Sequence, residues 1–372
     1  MNEGLFMNTT IPEYKKIAPY LVFFTVHTMQ IGIGILGFQR VVAEVAGYDG
    51  WISVILAGAA IHILLWMIFI MVDTASGDMD SIHTYVFGKN FSKFLNFFIM
   101  IYFCLLTVTV IRNFIEIVQV WMFQRLETFW FAVVFLLAII YIIYGGFRTI
   151  TGICFYSVVL PSYIVFTFLF TIPLSDFTNL LPIMDHSVTE ILQGSREMTL
   201  SVIGYETLLI YYPFIQYPKK AKKWAHWANL YTTFIYLYLA LITYAYFSET
   251  QLQKNIWPTL TMWKIIKLPF VERFEYIGIA NWFIAILPNA ALALWCASRI
   301  SKQLFGIRQK TAVPILAVIC LIGICLLTTR EQINQLDALI GKIGFYFNFI
   351  YIPLLFLATL IAKKVKKHVK DS

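Results

Sequence analysis

The chain has 372 residues, 60% of them hydrophobic and 13% charged, with a mean hydropathy of +0.75 and a formal net charge of +8. A soluble domain carries about a quarter charged residues, so these proportions exclude one and point to an integral membrane protein. Aromatic residues reach 17%, which suits helices with ring-rich lipid faces and interface ends.

The amino terminus is polar for about fifteen residues and has no cleavable signal pattern, so the first apolar stretch is expected to remain in the mature protein. Apolar stretches long enough to cross a bilayer then follow at roughly 16–38, 51–72, 94–121, 129–145, 152–172, 198–217, 228–247, 276–298, 312–328 and 339–362. These are spans 1 to 10. With an even number of crossings both termini lie on one face, and the cytoplasmic face should hold the excess of Lys and Arg. Placing the termini inside puts roughly 18 of the 28 basic residues there and about 9 outside. The positive charge therefore reads as topology and attraction to anionic lipid, not as nucleic-acid binding. The long outer loops at about 173–197 and 248–275 are either docking and gating surfaces or plain connectors.

Span 1 contains Gly32, Ile33, Gly34, Ile35, Leu36 and Gly37 in succession, with His27 one to two turns earlier. His62 lies in span 2. A lone histidine at such a depth is more often a hydrogen-bonded packing residue than a proton or ligand site. Span 3 places Arg112 and Glu116 four residues apart on one face. They form either an ion pair reaching the outer interface or the lining of a vestibule. Tyr102 and Thr107 on the same helix, and Asn289 after Pro288 on span 8, supply polar groups at membrane depth; hydrogen bonding between helices is the plain alternative for all three.

Span 6 contains Gly204, Tyr205 and Glu206. The first helix of each five-helix half thus has a glycine-centred weak point, and an odd number of helices per half gives the halves opposite orientations. That is the pattern of an inverted repeat whose discontinuous first helices form a ligand site near the midplane. Glycines also serve close helix packing, so each break alone is open to either reading. A carboxylate at this depth has few inert roles, and Glu206 is therefore expected to hold ligand, proton or unwound backbone. We accordingly expect one polytopic all-α domain over 1–372, with repeats at 16–172 and 198–362. Its ligand site is expected to comprise Gly32, Ile33, Gly34, Ile35, Gly37, Thr107, Gly204, Tyr205, Glu206 and Asn289, with Tyr102, Arg112 and Glu116 in a vestibule or gate.

The five cysteines, Cys104, Cys154, Cys296, Cys320 and Cys325, sit within apolar runs without paired spacing, so neither disulfides nor a zinc site is indicated. No metal-ligand spacing, P-loop, dinucleotide fingerprint or nucleophile elbow occurs, and no catalytic residue, metal or cofactor is assigned.

Four segments then carry a resemblance. They are Ala46-Gly47-Tyr48-Asp49-Gly50-Trp51-Ile52-Ser53 entering span 2, Asp176 through Leu180-Leu181-Pro182, Tyr217-Pro218-Lys219-Lys220-Ala221-Lys222-Lys223, and Val271-Glu272-Arg273-Phe274-Glu275. In order and spacing, over nearly the whole chain, they resemble the bacterial spore germination permease family, the B subunits of nutrient germinant receptors in the amino acid-polyamine-organocation superfamily. The resemblance implies a LeuT-like fold and a place in the inner membrane of the endospore. It also implies action beside a receptor A subunit and a lipoprotein C subunit, sensing a small nutrient such as an amino acid and helping to trigger germination. The family pattern sets a glycine directly against a glutamate in span 6, whereas Tyr205 intervenes here. Related transporters hold a coupling ion between spans 1 and 8 on hydroxyl side chains, or replace it with a lysine of span 5. Here Asn289 to Ala297 contains no Ser or Thr, and Thr151 to Ile172 contains no Lys. The chain thus reads as a sensor or channel, with a secondary amino-acid transporter as the alternative.

Overall fold

The computed structural model describes residues 11–266, 269 and 271–371. The first ten residues, on which most of the signal-peptide expectation rests, lie outside them. Hydrocarbon cannot satisfy backbone N–H and C=O groups, so a spanning chain must bond them internally or to neighbouring side chains. The chain does this with helices. Among the described residues seven stretches are long and apolar enough to cross a membrane, and the apolar helix Thr128–Tyr144 is slightly shorter.

Spans 1 and 6 are broken. Span 1 runs as Val22–Gln30, a tight turn Ile33–Leu36, and Phe38–Ala46; span 6 runs as Thr199–Val202, a turn Tyr205–Thr207, and Leu208–Tyr211. The others are span 2, Gly50–Ala75; span 3, Lys89–Trp121; span 4, Thr128–Tyr144; span 5, Phe147–Val159 continuing to Leu174; span 7, Lys222–Tyr246; span 8, Phe274–Phe305; span 9, Gln309–Leu326; and span 10, Arg330–Phe345 continuing to Asp371. Spans 2, 3 and 4 pack along spans 7, 8 and 9 respectively, the pairing that two interlocked five-helix halves require.

Several spans are longer than the apolar runs predict, and at a single end spans 1 and 10 extend furthest. Span 1 extends past 38 because Gln39, Arg40 and Glu44 interrupt its hydropathy but not its helix, and span 10 begins at Arg330. In both cases polar residues are tolerated because one helix face meets protein and water instead of lipid. Short helices that hydropathy misses, Met79–Phe87 and Val188–Glu197, join spans 2 to 3 and 5 to 6.

The segment Gly47–Asp49 is a latch at the turn between spans 1 and 2. Asp49 accepts hydrogen bonds from the backbone N–H of Met184 at 2.7 Å and of His186 at 3.0 Å, and Tyr48 donates to the Phe247 carbonyl at 2.6 Å. Gly47 has φ +48° with His186 packed where a side chain would begin, so glycine is required there. Burial alone would raise the Asp49 carboxyl; the His186 and Met184 N–H groups, with the His186 ring, outweigh it and hold the pKa below its ordinary value.

Candidate ligand cavity and helix breaks

The broken turn of span 1 opens into a cavity of about 430 Å³ that lies between spans 1, 3, 6, 8 and 10. Its floor is formed by Gly32, Ile33, Gly34, Ser201 and Asn289, with Thr109 of span 3 on the wall. Towards the mouth stand Arg40, Glu44, Arg196, Glu197, Arg330 and Asp337. A pocket of this size and mixed lining accommodates a small polar molecule.

Side chains take up much of the backbone freed at the breaks. In span 1, Asn289 donates its amide N–H to the carbonyls of Thr28 at 3.1 Å and Met29 at 3.3 Å. Tyr236 donates to Gln30 at 2.9 Å and to Ser201 at 2.6 Å, joining the two breaks, and Thr259 donates to the Ile35 carbonyl at 3.0 Å. In span 6, Gly204 has φ +113°, in the left-handed region that favours glycine. The N–H of Gly204 donates to Glu206 Oε2 at 2.6 Å, and Tyr102 donates its hydroxyl to Glu206 Oε1 at 2.6 Å.

The residues expected at the site therefore fall into two groups. Gly32, Ile33, Gly34, Gly37 and Asn289 line the cavity. Glu206, Tyr205, Tyr102 and Gly204 meet behind it: Glu206 is fully buried with both oxygens engaged by Gly204 and Tyr102, and the Tyr205 hydroxyl has no partner among the described residues. Ile35 lines a separate small pocket on the far side of span 1, and Thr107 donates to the Phe103 carbonyl of its own helix at 2.9 Å. Arg112 donates to the Leu327 carbonyl at 2.7 Å, and Glu116 pairs with Arg330, which does reach the cavity. His27 meets Thr232 at 2.8 Å and His62 meets His226 at 2.8 Å, both as packing contacts between helices.

Among the cavity residues that the sequence did not single out, Thr109, Asn113 and Asp337 bear most on its chemistry. Thr109 is buried with a hydroxyl that has no partner among the described residues, and Asn113 donates to Asp337 at 2.7 Å across spans 3 and 10. A signal for the first two was present. Tyr102, Leu106, Thr109, Asn113 and Glu116 follow the three- and four-residue spacing of one helix face, and Thr107 does not lie on it. Asp337 was missed because the charges around it end the apolar run that marks span 10.

The glycines prove to be tightly packed as well. A Cβ on Gly34 would lie 2.6 Å from Ser201 Cα, one on Gly37 would lie 2.6 Å from the Ile256 carbonyl oxygen, and one on Gly204 would lie 2.9 Å from both Met29 Cβ and the Met29 carbonyl oxygen. Lining and close packing thus coexist at Gly34 and Gly37. Among the described residues no group of three or more His, Cys, Asp or Glu is placed to hold a metal.

Residues 16–333 match the family model described as spore germination protein. The spore germination protein GerQB of Bacillus cereus is 41% identical over 357 residues, covering 96% of this chain and 99% of that protein. Spore germination protein A2 of Bacillus subtilis is 23% identical, covering 77% of this chain and 80% of its own. Among solved structures, a Na+-coupled sialic acid symporter in its substrate-bound outward-open state superimposes with a TM-score of 0.66 at 12% identity, over 91% of this chain and 78% of that one. MhsT in complex with L-phenylalanine gives 0.64 at 13% identity, over 91% and 87%. These two structures show the fold, a LeuT-like arrangement of ten spans with broken spans 1 and 6.

Proposed function

Because the chain belongs to the spore germination permease family, we propose that it is the nutrient-sensing membrane subunit of a spore germinant receptor. The observation that supports this most is the cavity ending on the broken turn of span 1, where Asn289, the Asn113–Asp337 pair and the Thr109 hydroxyl, which has no partner among the described residues, converge on one space. A small zwitterionic nutrient such as an amino acid suits that lining. Its ammonium group would meet the Asp337 carboxylate and its other polar groups the Thr109 hydroxyl and the turn at Gly32 to Gly34. The protein would act in the inner membrane of the endospore with both termini towards the core, beside an A subunit and a lipoprotein C subunit.

A sensor is favoured over a coupled transporter by the junction of spans 1 and 8. There the Asn289 amide donates to the Thr28 and Met29 carbonyls, so a neutral N–H occupies acceptors that a driving cation would need. Reconstituted vesicles should accordingly accumulate no labelled nutrient on an imposed Na+ or H+ gradient; gradient-driven uptake would establish the transporter instead.

The central test is Asp337→Asn. Losing one charge-assisted contact of about 1.5–3 kcal/mol should raise the half-maximal nutrient concentration for germination about tenfold or more, with subunit levels unchanged on immunoblot. An unaltered dose-response would remove Asp337 from the ligand site.

A further inference from the structure

A concavity of about 810 Å³ lies where the beginning of span 1 meets the beginning of span 7. We propose that it seats the phosphate headgroup of an anionic phospholipid, whose acyl chains run towards the midplane along the seam between these two spans.

Charge is the first ground. Lys219, Lys220, Lys222 and Lys223 form the rim, no carboxylate contributes to the lining, and none of the four is in an ion pair among the described residues. Two of them lie over neighbouring rings, Lys223 5.3 Å from Trp224 and Lys220 5.3 Å from Tyr217, which leaves their ammonium groups open to an anion.

Depth is the second ground. Tyr20 and Trp224, whose rings meet edge to face at 6.4 Å, form the inner wall, and such amphipathic rings settle at headgroup level. The basic-residue asymmetry places this level at the cytoplasmic leaflet.

The third ground is the seam itself. Trp227, Leu230 and Phe234 are exposed along one face of span 7, at 58%, 49% and 62%. On the facing half-helix of span 1, Phe23 lies 5.8 Å and His27 4.9 Å from the Tyr231 ring. The seam ends at the small pocket of about 60 Å³ lined by His27, Tyr231 and Ile235. From Trp224 to Ile235 the helix rises about 16 Å, close to one leaflet of a hydrocarbon core about 30 Å thick. Free phosphate could use the lysines but not the seam, so the shared phosphate chemistry is assigned to a lipid.

The experiment is native mass spectrometry of the purified full-length chain, exchanged into detergent holding equal amounts of phosphatidylglycerol and phosphatidylcholine with matched acyl chains. Phosphatidylglycerol adducts should exceed phosphatidylcholine adducts about tenfold. Replacing all four lysines by glutamine should abolish the preference, and replacing them by arginine should preserve it. Glycerophosphoglycerol, the same headgroup without acyl chains, and inorganic phosphate at the same concentration should displace none of the lipid. Equal adducts of both lipids on the unaltered chain, a preference that survives the glutamine variant, or displacement by either soluble phosphate would each overturn the proposal. The first and last of these need no variant, so poor folding of the glutamine form leaves the test intact.

Discussion

Glu206 illustrates how a single side chain can close a gap in a helix. Its two oxygens accept from the Gly204 N–H and the Tyr102 hydroxyl in a fully buried setting, so it satisfies backbone that the break in span 6 leaves without a helical partner. Glutamine is nearly the same shape but brings an NH2 group to one of two donors. Glu206→Gln can keep the Gly204 bond through its amide oxygen, but its NH2 then faces the Tyr102 hydroxyl, which must turn to accept and loses its own buried acceptor, costing about 1–3 kcal/mol. The loss should appear as a lower unfolding temperature of the purified chain and as a response weakened equally for ammonium-bearing and uncharged nutrients. Selective loss towards ammonium-bearing nutrients alone would instead place Glu206 in contact with the ligand. Its importance was legible from depth alone, since a carboxylate there has few inert roles. Its partner Tyr102 could be named from the sequence but not paired with it, because the rotation of span 3 against span 6 is set by packing.

Elements are fixed by contacts between stretches far apart in the chain, and the latch around Asp49 shows the size of the effect. Asp49→Asn removes the charge from two hydrogen bonds that pin the segment 184–186 against the turn between spans 1 and 2. Amide exchange at Met184 and His186 should rise roughly tenfold, as a loss of about 1.4 kcal/mol would give, while exchange in the cores of the spans stays unchanged. The same latch carries a pH dependence. Its carboxyl is held below the ordinary value when folded, so the stabilisation is fully present above the unfolded value of about 3.9 and is lost as pH falls through the lowered one. Exchange at Met184 that stays flat between neutral and strongly acidic pH would refute this. The motif Gly47-Tyr48-Asp49-Gly50 was visible in the sequence as part of a resemblance, whereas its partners Met184, His186 and Phe247 were not, since nothing local to either segment specifies the other. The two helix breaks were legible for the opposite reason: glycines within an apolar run are a local signal. Span 10 was cut short because a helix facing a polar cavity loses the uniform hydropathy that marks a lipid-facing one.

The molecule as a whole is organised by charge across the bilayer as well as by packing. The proposed orientation, with both termini on the Lys- and Arg-rich face, predicts a labelling pattern. Single cysteines at Ser187 and Gln253, introduced into an otherwise cysteine-free chain, should react with an impermeant maleimide from outside, and cysteines at Lys222 and Lys366 should react only after permeabilisation. The reverse pattern would invert the orientation and move the cavity mouth to the other face.

Close contact between the two breaks has a mechanical consequence. Gly34 rests on Ser201 backbone, Gly204 rests on Met29, and the Tyr236 hydroxyl is bonded to carbonyls of both spans. The two discontinuities are thus packed against each other and hydrogen-bonded through Tyr236, so a shift at one presses on the other. A molecule seated against Gly34 would press on Ser201, and from there span 6 runs through its break to the Ile215–Ile17 bridge. If the cavity takes the proposed nutrient, its arrival on one side of the membrane would be geared through these contacts to backbone nearer the other.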